Sequence, residues 1–208
     1  MAYDLEEQEQ LDEFKAWWKR YGKLVTNVAL ALIVGYAAFQ GWKSYQNNQS
    51  VEASTQFQEL LVTDEKDLKA IQAKSAVLMD KFSATPYAGR AALYAAKANY
   101  LANDSKSAKS QLVWTIKNAK ESTVSALAGL QLANILAEEK NYDAALKLLN
   151  ATHDAGFDGL YSDLKGDVLV SLGKSSEARV VYQEALNKLD SQGKYRALTQ
   201  KKLEAIGE

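Results

Sequence analysis

The chain has 208 residues, with 25 Lys+Arg against 26 Asp+Glu, one His, one Pro and no Cys. The missing Cys excludes disulfides, thiolate metal sites and cysteine nucleophiles, and a formal net charge of −1 gives no overall footprint for nucleic acid. One proline and eleven glycines are too few breakers for a sandwich or barrel of short strands, and the abundance of Ala, Leu, Lys, Glu and Gln favours an all-α fold.

Residues 1–23 read as a polar tail in which acids (Asp4, Glu6, Glu7, Glu9, Asp12, Glu13) precede bases (Lys15, Lys19, Arg20, Lys23). Leu11, Phe14, Trp18 and Tyr21 recur at three- and four-residue steps, which predicts a short amphipathic helix for the lipid surface or a partner. No charge occurs between Lys23 and Lys43, leaving the 19 residues 24–42. As a helix they would span roughly 28 Å, close to the hydrocarbon thickness of a bilayer. Trp17 and Trp18 before this run, and Trp42 and Tyr45 after it, suit the headgroup level, where a ring keeps one edge wet. A cleaved signal peptide fits poorly, because the preceding region is long and acidic and no small-x-small site follows. The expectation is one uncleaved transmembrane helix. Lys15, Lys19, Arg20 and Lys23 outnumber Lys43 near its ends, which places the N-terminus in the cytoplasm and residues 43 onward outside.

Residues 43–50 read as a polar joint, and residues 51–208 as helical throughout. Within them Ala133, Leu136, Ala145 and Leu149 recur 33 residues later as Gly166, Leu169, Ala178 and Tyr182. A small residue on one helix and an Ala twelve residues on, on a second helix, let the two cross closely. This spacing resembles the tetratricopeptide repeat, which implies a solenoid of stacked helical hairpins. A weaker copy carries Ala96 and Ala108, and its 37-residue offset predicts a longer loop near residues 120–123. Residues 51–62 and 67–82 can form a further pair, closed before Pro86, and residues 194–206 suit a capping helix.

No catalytic constellation is present. His153 is the only histidine and reads as a surface turn residue; there is no P-loop and no GxGxxG, and Glu138-Glu139 beside Lys140 reads as a solvated helix end. The expectation is a non-enzyme with no cofactor, metal, nucleic acid or small-molecule substrate. The repeat resemblance implies a concave binding surface. Its groove positions carry over to Arg90, Leu93, Lys97, Tyr100 and Leu101, then Leu127, Leu130, Asn134, Ala137 and Glu138, then Leu160, Asp163, Asp167, Val170 and Ser171. Relatives that clamp a terminal carboxylate use Lys where this chain has Leu93, Leu130 and Asp163, so a carboxylate clamp is not expected. Leu93, Tyr100, Leu127, Leu130, Asn134 and Leu160 are the candidate protein-binding residues, with simple packing between helices as the alternative.

Four features in order resemble the YfgM family of ancillary SecYEG translocon subunits of proteobacteria. They are the start with Glu7-Gln8-Glu9-Gln10-Leu11 and Phe14-Lys15-Ala16-Trp17-Trp18-Lys19, an anchor ending near Gly41-Trp42, a helical domain beyond it, and Asp163-Leu164-Lys165-Gly166-Asp167. The resemblance implies a single-pass inner-membrane protein whose periplasmic repeats contact the translocon, a membrane-anchored chaperone of the PpiD type and newly exported proteins. The residues alone do not separate this from a repeat scaffold for envelope assembly or cell division unrelated to secretion.

Overall fold

A computed structural model describes residues 2–207, with side chains from residue 7 onward; Asp4 and Glu6 of the acidic tail lie outside the described side chains. Nine α-helices are present among the described residues, and no strand. They are α1 (Ala2–Leu61), α2 (Leu68–Lys81), α3 (Pro86–Leu101), α4 (Ser105–Asn118), α5 (Ser122–Glu138), α6 (Tyr142–Leu149), α7 (Asp158–Ser171), α8 (Ser175–Lys188) and α9 (Lys194–Ala205). A 3₁₀ turn, Ala155–Phe157, precedes α7. The chain divides into two compact units, residues 1–48 and 49–208.

The first unit is the greater part of α1, which is long and apolar enough to cross a membrane. Among residues 24–42 only Val25 is even half-buried, so the apolar run is exposed along nearly its whole length. The tail helix and the apolar run are one helix without a break. The polar segment is helical too, because residues 42–61 contain neither Gly nor Pro and each Asn or Ser costs a helix only a few tenths of a kcal/mol, about 0.5.

The second unit is a succession of helical hairpins. Its first core joins Ala53 and Leu60 of α1 to Ile71 and Leu78 of α2 and to Ala91 and Ala95 of α3. Asn99, fully buried, ties three helices together: it accepts from Gln72 Nε2 (2.5 Å) and donates to Gln111 Oε1 (2.8 Å) and the Ala95 carbonyl (2.9 Å). Hairpins α3/α4, α5/α6 and α7/α8 follow, with α3 against α5 and α5 against α7, while α9 packs on α8. Helices α3, α5, α7 and α9 start at Pro86, Ser122, Asp158 and Lys194, a step of 36 residues each time (122 − 86, 158 − 122, 194 − 158).

The turn inside each hairpin is built the same way. Asn103, Lys140 and Gly173 take left-handed φ of 62°, 60° and 74°. The next N–H then bonds five residues back, Asp104 to Asn99, Asn141 to Leu136 and Lys174 to Leu169, at 2.8–2.9 Å. This is the Schellman arrangement, which satisfies the last free carbonyls of the first helix. Asp67, Asp104 and Asn141 cap the second helix of their pairs by accepting from Ala70, Ser107 and Ala144 N–H groups.

The longer loop expected near residues 120–123 is a short one, residues 119–121. The extra length sits in helix instead: α4 has 14 residues and α6 only 8, and the longer connection is the one holding the 3₁₀ turn. The small residues of the repeat are buried where helices cross: Ala96, Ala108, Ala133, Ala145 and Ala178 are at most 1% exposed. Gly166 lies so close to Tyr182 that an added Cβ would stand 2.4 Å from the ring.

Candidate functional site

Helices α3, α5 and α7, the first of each hairpin, share one face, and a cavity of about 520 Å³ opens there. Of the six sequence candidates, Tyr100, Leu130, Asn134 and Leu160 line it. Leu93 instead packs, half-buried, on the α3/α4/α5 core, and Leu127 is half-buried away from the cavity. An apolar stripe on a solenoid helix has a core side and a groove side, and spacing alone does not divide them. Lys97, Leu101, Asp163 and Asp167, carried over from the repeat family, line the cavity as well. Arg90, another such position, is committed elsewhere: its guanidinium donates twice to Glu121, at 2.8 and 2.6 Å. That bidentate contact raises the Arg90 pKa and lowers that of Glu121, against an opposing effect of burial.

Polar groups along the cavity are mutually satisfied at two places. On one side the Tyr100 hydroxyl donates to Glu138 (2.5 Å) and Asn134 Nδ2 donates to the other oxygen of Glu138 (2.8 Å). The bond to Glu138, and then burial, raise the Tyr100 pKa. On the other side Lys202 of α9 donates to Asp163 and Asp167, 2.7 Å each, Thr199 donates to Asp163 (2.7 Å) and Tyr182 donates to Asp167 (2.7 Å). Burial pulls the Lys202 pKa down, but its two carboxylate partners more than offset this and leave it raised. Tyr182 is raised further, by burial first and by Asp167 second. This network fastens the C-terminal helix α9 to α7 and brings Tyr195 into the cavity wall.

Lys97 differs. It is exposed, and among the described residues it makes no ion pair or side-chain hydrogen bond. It also lines a second cavity of about 450 Å³, between the α2 and α3 region, which shares Leu101 with the first. The second cavity was not legible in the sequence, since it depends on how α2 leans on α3.

His153 lies in the connection before the 3₁₀ turn, as expected, but half-buried rather than fully on the surface. Its ring stacks on Tyr161 with centroids 3.6 Å apart, its Nε2 lies 3.1 Å from Asp158, and Tyr161 donates to the Ala126 carbonyl at 2.8 Å. The histidine thus helps seat the turn before α7. No cluster of His, Asp and Glu among the described residues is arranged to hold a metal ion.

Residues 15–208 match the tetratricopeptide repeat-like domain family. Over 99% of its length the chain is 32% identical to the whole of a Neisseria gonorrhoeae protein named ancillary SecYEG translocon subunit. The chain belongs to the ancillary SecYEG translocon subunit family. Further members with that name are 27% identical in Haemophilus influenzae, over 89% of this chain and 91% of the relative, and 28% identical in Escherichia coli, over 85% of each. No solved structure matches. In this ancillary-subunit chain the candidate interface residues lie along α1. Trp17 and Trp18 stack with Phe14 at ring distances of 6.1 Å, Trp17 meets Tyr21 at 5.9 Å, and Arg20 sits over Tyr21 at 5.4 Å. Lys15 pairs with Asp12 at 3.0 Å, Lys19 and Lys23 are exposed, and Trp42 meets Tyr45 at 6.2 Å.

Proposed function

We propose that this protein is a non-catalytic, membrane-tethered adaptor at the protein-export translocon, whose concave face binds polypeptide segments. In this reading α1 anchors the chain in the inner membrane with the N-terminus in the cytoplasm and residues 51–208 in the periplasm. There it contacts SecYEG and a membrane-anchored chaperone of the PpiD type and links newly exported proteins to it. The observation that carries the reading is the cavity of about 520 Å³ across α3, α5 and α7, in which Leu130, Leu160 and Tyr100 offer apolar surface to a partner. The name carried by the similar proteins supports the translocon, and the basic residues flanking the apolar run favour the orientation. Tethering raises the effective concentration of the groove beside the exit, so weak contacts with passing chains suffice.

The test is a charge in the groove. Leu130→Asp in the full chain is expected to keep the helical circular dichroism while losing most of the translocon and chaperone that co-purify from detergent-solubilised membranes. Undiminished co-purification with the fold intact would contradict binding through this face. Loss of helicity would assign Leu130 to the core, and the same substitution at the exposed Asn134 would then decide the matter.

A further inference from the structure

Resting on that reading, we propose that the groove selects segments carrying a side-chain carboxylate between two apolar stretches, and that Lys97 is the residue that recognises it. Three observations converge on Lys97. The first is position: the two cavities have only Lys97 and Leu101 in common, so a segment running from one to the other passes over both. Leu101 is 69% exposed and offers apolar surface beside the Lys97 ammonium.

The second is the pattern of charge. Asp163 and Asp167 share Lys202, and Glu138 accepts from Tyr100 and Asn134. Glu65 and Lys66 also line the second cavity and do not pair with each other. Neither Lys97 nor Lys66 makes an ion pair among the described residues, and of these two cations Lys97 is the one that stands where the cavities meet. The third is the cost of covering it. A partner laid across the groove strips water from the ammonium, and an apolar or basic side chain there would leave a desolvated, unpaired cation. A carboxylate offsets that cost and fixes the register of the apolar flanks, one toward Ile71 and Tyr94, the other toward Leu130 and Leu160. A single Lys in the middle of a groove reads a side chain, whereas capture of a chain terminus calls for several donors around one end. Two unpaired cations, Lys97 and Lys66, are likewise far short of what a nucleic acid backbone needs.

The test uses the full chain in lipid nanodiscs and three fluorescent synthetic peptides. They share one apolar-flanked sequence and differ only in a central Glu, Gln or Lys. The Glu peptide is expected to bind roughly five-fold more tightly than the Lys peptide, the scale of one partly exposed ion pair gained against one repulsion. Lys97→Glu is expected to reverse the order without changing the melting temperature, because the side chain is exposed. Equal binding of the three peptides, failure of all three to bind, or an order that survives Lys97→Glu would overturn the proposal. Failure here and failure of the groove reading are separable: if Leu130→Asp weakens all three peptides equally and no charge order exists, the groove binds but Lys97 does not select.

Discussion

Gly166 and Tyr182 meet where α7 crosses α8, with no room for a methyl group between them. The preceding hairpin solves the same crossing with Ala133 and Leu149, a larger residue on one helix and a smaller one on the other, both buried in a single core. Packed interiors conserve volume at such contacts. Gly166→Ala is therefore expected to lower unfolding free energy by about 1–3 kcal/mol in urea titrations. Adding Tyr182→Leu should recover part of that loss, though not all, because Asp167 then loses the phenol that donates to it at 2.7 Å. A neutral Gly166→Ala would mean that the crossing is looser than the ring position indicates. Similar reasoning at the far wall makes Lys202 a fastener: it satisfies two carboxylates of α7 that would otherwise repel each other beside the groove.

Each hairpin depends on its turn, and three turns share one backbone solution with different residues at the left-handed position. Asn and Lys tolerate that conformation at a cost, and Gly adopts it freely. An added Cβ at Gly173 would touch nothing within 4 Å, so Gly173→Ala isolates the backbone term. It is expected to cost about 1 kcal/mol in thermal or urea unfolding. A cost near zero would show that the turn relaxes out of the left-handed region. These elements were also what the sequence made legible. Pro86, the 33-residue offset and the twelve-residue spacing of small residues fixed the helix pairs because close helix crossings leave few residue choices. Helix lengths were less legible: α4 outlasts α6 by six residues (14 against 8) because each packs on different neighbours, and no local signal records that. The polar segment before residue 51 looked like a joint because Asn and Ser favour turns, yet without Gly or Pro the helix continues through it.

At the scale of the molecule, the candidate groove was half legible. Tyr100, Leu130, Asn134 and Leu160 converge because the repeat puts the same helix face in register every hairpin. Leu93 packs on the core side of that face and Leu127 lies half-buried outside the cavity, and Tyr195 and the second cavity arise only once α9 and α2 dock. The long apolar helix was more legible, since an uncharged run of 19 residues between Lys23 and Lys43 needs only the chain's own composition to be recognised. In the proposed function, an apolar helix joined to a groove makes an adaptor that holds passing segments near one place in the membrane. The most direct measurement is photocrosslinking in intact cells from a photoreactive amino acid at Tyr100, with Val113 of α4, exposed and outside both cavities, as the control. Mass spectrometry of the adducts should return translocon subunits, a membrane-anchored periplasmic chaperone and exported chains from position 100 and few from position 113. Equal adducts from both positions, or only cell-division and outer-membrane assembly proteins from position 100, would contradict an export adaptor working through this face.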